Sequence, residues 1–217
     1  MPIAMTVRRL FILILYRAID EPRNGHRRSA YARVEHPLPE PRIAITIRPG
    51  TIDDVPFLDS LQKLHTKQVG WMPTKQFEGK IKLGHVLIAE EVGGRGSEVG
   101  TEVQLTTHDP PPTPTKVGYL IGNDQYFKRD DVGIIYQLNV APGRQRTFIG
   151  AALLKAQFER SAYGCKLYCC WCAQDISANR FWEAMGFVPL AYRAGSEKKS
   201  RVHIFWQKRQ GNRILIP

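Results

Sequence analysis

The fold is decided by Gly133-Ile-Ile-Tyr-Gln-Leu-Asn-Val140, by Ala141-Pro-Gly-Arg-Gln-Arg-Thr-Phe-Ile-Gly150 after it, and by Ala151-Ala-Leu-Leu-Lys-Ala-Gln-Phe-Glu-Arg160. The first part is a β-branched and aromatic run closed by proline and glycine, which predicts a strand. The last part repeats apolar residues at spacings of three and four, which predicts an amphipathic helix that Gly164 would stop. The order is therefore strand, tight basic loop and helix.

The basic loop between this strand and this helix predicts an anion site. The first turn of a helix presents unpaired N–H groups and the positive end of the helix dipole. Arg144 and Arg146 add two full charges at the same place. We therefore expect a phosphate-bearing ligand here.

The length and composition are typical of a soluble globular protein. A chain of 217 residues can bury the core of one domain, and the hydrophobic content of 43% and charged content of 24% are ordinary. The net charge of +11 is uneven: residues 1–42 carry eight arginines against four acids, and residues 193–217 carry seven lysines or arginines against Glu197. Such a surface suits nucleic acid, anionic lipid or an anionic cofactor, and charge alone does not decide between them.

Three segments are expected to lie outside the regular fold. Residues 1–42 contain an apolar run that is too short to span a bilayer, then an Arg- and Pro-rich run typical of disorder. We interpret them as a basic N-terminal extension, with a targeting peptide as the alternative. The glycines of residues 93–116 could suggest a phosphate loop, but neither a helix nor Gly-Lys-Ser/Thr follows them, so we expect a flexible hairpin or insertion. With a tail over 211–217, the domain spans residues 43–210.

Apolar periodicity and the positions of glycine and proline predict the remaining elements. Further strands are predicted over residues 43–48, 85–90, 117–122, 166–171, 187–193 and 202–207. Further helices are predicted over 74–82 and 175–185, preceded by one that carries Val55, Leu58, Leu61 and Leu64. The order β-α-α-β-β-β-α-β-α-β-β describes a mixed sheet with helices on both faces.

All four cysteines lie in one strand-like stretch, as Cys165, Cys169, Cys170 and Cys172. A zinc site normally uses a C-x2-C pair in a turn and a second pair of ligands elsewhere, and this spacing supplies neither. We therefore expect reduced thiols in the core and no metal. Reduced thiols are typical of a cytoplasmic protein.

Three motifs resemble those of the GNAT superfamily of acetyl-CoA-dependent N-acyltransferases. They are Arg48-Pro-Gly-Thr-Ile-Asp-Asp-Val55, Val140-Ala-Pro-Gly-Arg-Gln-Arg-Thr-Phe-Ile-Gly-Ala-Ala-Leu-Leu154 and Ala178-Asn-Arg-Phe-Trp-Glu-Ala-Met-Gly-Phe187. The second is similar to the cofactor motif Gln/Arg-x-x-Gly-x-Gly/Ala, and the third to the segment that closes the cofactor site. The resemblance covers about residues 43–207. It implies an α/β (α+β) fold with a mixed, mostly antiparallel central sheet of about six or seven strands, flanked by about four helices.

The same resemblance implies an N-acetyltransferase that moves an acetyl group from acetyl-CoA, its cosubstrate, directly to a primary amine of a small molecule or peptide. The site must deprotonate the amine, stabilise an oxyanion and protonate the thiolate. The residues that the resemblance assigns to cofactor binding are Leu138, Asn139, Val140, Arg144, Gln145, Arg146, Thr147, Phe148, Ile149, Gly150, Ala151, Asn179, Arg180 and Trp182.

Two residues depart from the family pattern. Phe148 stands where the cofactor motif usually has its first glycine, which lets the backbone approach the pyrophosphate. Trp182 stands where many members carry a tyrosine that protonates the leaving thiolate. An indole N–H donates a hydrogen bond but is no proton source near pH 7.

The sequence does not reveal the general base, because the fourth predicted strand carries no acidic residue. Tyr136 and Asp175 are the catalytic candidates, with a core role for the first and a capping role for the second as alternatives. A water-mediated path is a third option. The six histidines are scattered, and we interpret each as structural or superficial.

Trp71 and Lys198 are the candidates for acceptor binding. Trp71 could stack on an acceptor or be a buried aromatic, and Lys198 could face the cleft or a solvated turn.

Two other classes of function compete with the enzyme. Phe148 and Trp182 suggest a catalytically silent module that binds CoA. The charge suggests a nucleic-acid-binding protein, but the aromatic residues are not interleaved with the basic runs, so we do not expect a nucleic-acid partner. We expect no membrane span and leave the oligomeric state open, with a homodimer as one option.

Overall fold

The computed structural model describes residues 37–93, 114–161, 163–195 and 201–210. The strands are β1 (Ile45–Pro49), β2 (Val86–Glu91), β3 (Thr115–Asn123), β4 (Val132–Val140), β5 (Leu167–Ala173), β6 (Val188–Ala194) and β7 (Val202–Arg209). The helices are α1 (Val55–Leu64), α2 (Thr74–Lys82), α3 (Ile149–Arg160) and α4 (Ala178–Ala184). The predicted order of elements is confirmed. Most of the expected extension and insertion, and all of the tail, lie outside the described residues.

The seven strands form one sheet in the order β1-β2-β3-β4-β5-β7-β6. Neighbouring strands are antiparallel everywhere except between β4 and β5, which run parallel. This confirms the predicted mixed, mostly antiparallel sheet. The parallel pair is connected through α3, as a parallel connection requires a crossover.

Both faces of the sheet are buried, because alternate residues of the central strands enter different apolar clusters. On β3, Tyr119 and Ile121 pack in the cluster that contains α1 and α2 residues, while Leu120 packs in the cluster of α3 and α4. This is the period-two alternation of a strand covered on both sides. Among the described residues, no helix has the length and apolar character needed to cross a bilayer.

A buried carboxylate fixes the entry to α1. The Asp54 carboxylate accepts hydrogen bonds from both Nη atoms of Arg48, at 2.7 and 2.9 Å, and Lys116 Nζ lies 2.6 Å from its Oδ1. The backbone N–H of Thr51 also donates to Asp54, at 2.7 Å. Burial alone would raise the pKa of Asp54, but the hydrogen bonds from Arg48 and Lys116 bring it well below the usual range. The motif from Arg48 to Val55 therefore ties β1, β3 and α1 together.

The residues just before β1 already contact the fold. Leu38 packs against the core on the α3 face, and Lys155 Nζ lies 2.6 Å from Glu40 Oε1. The backbone N–H of Arg42 donates to the carbonyl of Thr147 at 2.9 Å. Contacts with the fold thus begin ahead of the strand that the sequence predicts as its start, and the boundary at residue 42 stays a prediction.

Candidate active site

Strands β4 and β5 run side by side and then separate. Pairing joins Val132–Ile135 to Leu167–Cys170, although β4 continues to Val140 and β5 to Ala173. Among the described strands, none pairs with β4 on this side from Tyr136 onward. Its free backbone groups can therefore pair with an extended ligand, which would lie there like an added strand.

A β-bulge lies where the two strands separate. Ile121 pairs with Gln137 and Gly122 with Ile135, so Tyr136 is an extra residue on β4. A bulge bends its strand and increases the local twist, which accounts for the opening at this point. The Tyr136 ring is 38% exposed and lies under Lys80, whose Nζ is 3.7 Å from the ring centroid. Burial raises the pKa of the Tyr136 hydroxyl.

The loop from β4 to α3 turns through three residues with left-handed backbones. They are Gly143, Arg146 and Phe148, with φ of 81°, 64° and 63°. Phe148 is the N-cap of α3, so it adopts the conformation that favours glycine at the position where the resemblance places a glycine. The phenylalanine side chain therefore does not prevent a left-handed backbone at this position. The first N–H groups of α3 then lack intrahelical acceptors, as at any helix start.

The two arginines of the loop have different surroundings. Arg144 Nε forms an ion pair of 2.7 Å with Glu91 Oε2, so a carboxylate already compensates its charge. Arg146 is exposed. Thr147 closes the turn that contains both arginines, since its hydroxyl donates to the Arg144 carbonyl at 2.6 Å.

Gly150 marks the point where β4, α3 and the segment of α4 converge. A methyl group built on Gly150 would lie 3.1 Å from the Phe181 ring and 3.2 Å from Leu138 Cδ2. Its neighbours Ile149 and Ala151 are buried in the core. The structure therefore brings the predicted strand edge and the predicted phosphate loop together with α4.

Asn179 is engaged within the turn that leads into α4. Its Nδ2 donates to the carbonyls of Ala173, Gln174 and Ile176, at 2.7, 3.1 and 2.9 Å. Its Oδ1 accepts a hydrogen bond of 2.9 Å from Trp206 Nε1. The amide is thus fully used in holding the turn.

The other two predicted cofactor residues of α4 lie in different environments. Trp182 is 7% exposed, and its ring centroid lies 5.2 Å from that of Phe181 and 5.1 Å from that of Phe187. Trp182 therefore contributes to the core. Arg180 is exposed.

A cavity of about 480 Å³ lies between the loop after α1, the turn after β5 and the start of β7. Its lining residues are Thr66, Lys67, Gln68, Asp175, Ile176, Ser177 and Arg201. Arg201 crosses it: its Nε lies 2.7 Å from Asp175 Oδ1, and its Nη2 donates to the Lys67 carbonyl at 2.9 Å. The hydrogen bond from Arg201 lowers the pKa of Asp175, which makes this carboxylate a weaker proton acceptor.

The two predicted acceptor residues differ in what the structure shows. Trp71 lies in the loop between α1 and α2 and is 61% exposed, so the alternative of a buried aromatic is wrong. Its ring is free to contact a ligand. Lys198 lies outside the described residues.

Comparison with known proteins rests on structure. No family model and no curated protein matches the sequence. Ard1 from Thermoplasma volcanium matches with a TM-score of 0.59 at 16% identity, over 77% of this chain and 98% of that one. NAA60 from Arabidopsis thaliana, solved with a bisubstrate analogue, matches with a TM-score of 0.59 at 13% identity, over 78% of this chain and 99% of that one. N-acetylglutamate synthase from Neisseria gonorrhoeae, solved with coenzyme A and N-acetyl-glutamate, matches with a TM-score of 0.56 at 16% identity, over 76% of this chain and 35% of that one. The chain has the GNAT fold.

Within this GNAT fold, one contact to β4 is not visible in the sequence. His65 directly follows α1, and its Nδ1 lies 2.5 Å from Oδ1 of the buried Asn139. On the other side of the ring, Gln145 Nε2 lies 3.4 Å from His65 Nε2. In the sequence, only Asn139 points to this contact, because a polar side chain in a buried strand requires a hydrogen-bond partner.

Proposed function

We propose that this protein is an N-acetyltransferase that moves the acetyl group of acetyl-CoA directly to a primary amine of a small molecule or peptide. The observation that carries the proposal is the separation of β4 from β5. It leaves the backbone of Tyr136–Val140 free on one side, and the same strand leads into the loop that starts α3.

The two parts fit the two chemical parts of CoA. The amides of the pantetheine arm would pair with Leu138–Val140 as an added strand. The pyrophosphate would lie against the N–H groups of Gln145–Gly150, where the helix dipole and Arg146 favour negative charge. The synthase solved with coenzyme A and NAA60 solved with a bisubstrate analogue support this assignment by likeness of fold.

The reaction needs no covalent enzyme intermediate. The neutral amine attacks the thioester carbonyl, so that an N–C bond forms, the C–S bond breaks and the thiolate leaves. A backbone N–H of β4 near Leu138 is the natural donor to the oxyanion. Trp182 is buried among aromatic rings and cannot release a proton near pH 7, so the thiolate takes its proton from another group or from water.

The cavity crossed by Arg201 supplies the acceptor site of this proposal. It lies at the turn that follows β5, between loops of the kind that vary in sequence and carry specificity. Trp71, exposed in the loop after α1, offers an aromatic face to an acceptor.

Calorimetry with acetyl-CoA tests the cofactor site. We expect binding by the wild type and at least a tenfold weaker affinity for Gly150→Leu, because the new side chain would displace Phe181 and Leu138. Gly79→Leu is the matched control, since nothing lies within 4 Å of its Cβ position. No binding at millimolar acetyl-CoA would overturn the proposal.

A catalytically silent CoA-binding module is the second candidate, and the burial of Trp182 favours it. Release of CoA thiol in the presence of a panel of amines, including amino acids, polyamines and short peptides, separates the two. Release above the rate without amine supports the enzyme. Binding of acetyl-CoA without release by any amine supports the module.

A further inference from the structure

Three side chains form a line from the end of α1 to the loop before α3. His65 is in the middle, half-buried, with Asn139 on its Nδ1 at 2.5 Å and Gln145 on its Nε2 at 3.4 Å. No carboxylate contacts the ring among the described hydrogen bonds and ion pairs. The orientation of the imidazole is therefore set by amides alone.

The amide of Asn139 can face His65 in only one way. Its Nδ2 lies 3.3 Å from the carbonyl of Leu61 and 3.4 Å from the hydroxyl of Tyr119. A carbonyl accepts hydrogen bonds and never donates them, so the NH₂ end must point to Leu61 and the oxygen to His65. The Tyr119 hydroxyl in turn donates to Gln137 Oε1 at 2.9 Å, which leaves it able to accept from Asn139.

This fixes the tautomer of His65. Because Asn139 Oδ1 only accepts, the proton of the neutral ring resides on Nδ1. Nε2 then carries the lone pair, and the nearby Gln145 amide is a donor that is compatible with it. An imidazole with a lone pair on one nitrogen and an orienting partner on the other has the arrangement of a general base.

His65 is linked to both parts of the candidate site. His65 directly precedes Thr66–Gln68, which line the cavity, and its partner Asn139 lies on the stretch of β4 without a partner strand. We propose that His65 Nε2 accepts the proton that the acceptor amine gives up, and that Asn139 positions the ring. This inference rests on the proposed acetyl transfer.

The step balances without any further reactant. The amine nitrogen forms a bond to the acetyl carbon and the C–S bond breaks. One proton passes from nitrogen to His65 Nε2, and the leaving thiolate takes up one proton, from the imidazolium or from water. The products are an amide and free CoA, and His65 returns to its neutral form.

The charged groups on the neighbouring elements do not replace His65 in this role. Lys63 pairs with Asp59 at 2.6 Å, and Arg144 pairs with Glu91 at 2.7 Å. Lys67 is exposed and its backbone carbonyl accepts a hydrogen bond from Arg201. The two candidates from the sequence are less suited to accept a proton, because Asp175 is held by Arg201 and the phenol of Tyr136 stays protonated.

His65→Gln tests the proposal, because glutamine can still donate to Asn139 but cannot accept a proton. With the best amine of the panel, we expect kcat to fall about 100-fold, while the calorimetric affinity for CoA changes less than about twofold. The acid limb of the pH profile of kcat/KM should disappear. Asn139→Ala should lower kcat less and move that limb, and His85→Gln, in the turn before β2, should change neither.

Each contrary outcome has a separate meaning. An active His65→Gln variant that keeps the acid limb overturns the role of His65 alone. Loss of CoA affinity in this variant would make His65 a cofactor-binding residue and also overturn it. A folded wild type that binds acetyl-CoA and acetylates no amine overturns the proposed function, and this inference with it.

Discussion

The guanidinium of Arg42 lies over the ring of Phe148, with 4.7 Å between its Cζ and the ring centroid. Phe148 keeps a left-handed backbone there, at φ 63°, and starts α3. Such a conformation costs a residue with a side chain about 1–2 kcal/mol relative to glycine. Packing of the Phe148 ring must therefore offset the strain of its backbone, at a position where the family motif has glycine.

Replacing Phe148 by glycine and by alanine separates backbone strain from packing. Both variants lose the aromatic ring, but only alanine keeps the strained Cβ. We expect Phe148→Gly to be more stable than Phe148→Ala by about 1 kcal/mol in urea unfolding followed by circular dichroism.

The same pair of substitutions at Glu78, inside α2, should give the opposite order. Glycine is about 1 kcal/mol less favourable than alanine in a helix interior. If alanine were the more stable residue at both positions, Phe148 would not be strained in solution.

Arg42→Ala should loosen the loop without unfolding the protein. It removes a cation–π contact worth about 0.5–1 kcal/mol, so we expect a two- to fivefold weaker affinity for acetyl-CoA by calorimetry. Glu40→Gln, which breaks only the exposed pair with Lys155 on the same segment, is the control. Equal effects of the two variants would contradict a specific role of Arg42.

The four cysteines should be unreactive in the native protein. All are buried, and burial raises the pKa of Cys165 and Cys172 to about 11 and that of Cys169 and Cys170 well above the usual value. The thiolate is the reactive form, so a thiol reagent at pH 8 should label none of them until urea unfolds the chain. Rapid labelling of the folded protein would contradict this burial. If the folded protein is not labelled, the same reagent can detect released CoA thiol in the acetyl-transfer assay.

Local patterns were sufficient for most elements. The predicted helix over 74–82 agrees with α2 at both ends, because Pro73 precedes it and Gly84 follows with φ of 70°. The predicted helix over 175–185 instead begins at Ala178. Asp175 pairs with Arg201 rather than capping, and the turn before α4 is held by the Asn179 side chain. These are contacts between distant segments, which spacing does not show.

The candidate site was predictable only in part. The strand and the basic loop are local in sequence, and Gly150 after them lies close to Leu138 and Phe181. The separation of β4 from β5 depends on the Tyr136 bulge, and His65 meets Asn139 across 74 residues of chain. Neither relationship has a periodic signal in the sequence, because each depends on contacts between distant segments.

Asp54→Asn should destabilise the fold at neutral pH. It removes the buried carboxylate that Arg48 and Lys116 share, but the two cations are 33% and 30% exposed and Arg48 keeps its ion pair of 2.6 Å with Glu90, so we expect a cost of about 1–3 kcal/mol. Because the pKa of Asp54 is lowered by folding, its contribution is complete above the unfolded pKa of about 3.9 and is lost as the pH falls further. Urea unfolding at several pH values should show the gap between wild type and variant narrowing below about pH 4. A gap that stays constant to pH 2.5 would show that charge is not its cause.

Asn179→Ala distinguishes a structural from a cofactor-binding role for the asparagine that the family resemblance assigned to CoA. Its amide makes four hydrogen bonds inside the protein, so truncation leaves the Trp206 indole and the Ala173 carbonyl without their partner. We expect a loss of about 1–3 kcal/mol in the free energy of unfolding. Asn179→Asp should be no more stable than Asn179→Ala, because a carboxylate can accept a hydrogen bond from Trp206 but cannot donate to the three carbonyls. Calorimetry below the unfolding transition should find the affinity of both variants for acetyl-CoA within about twofold of the wild type. Normal stability with a large loss of affinity would return Asn179 to the cofactor site.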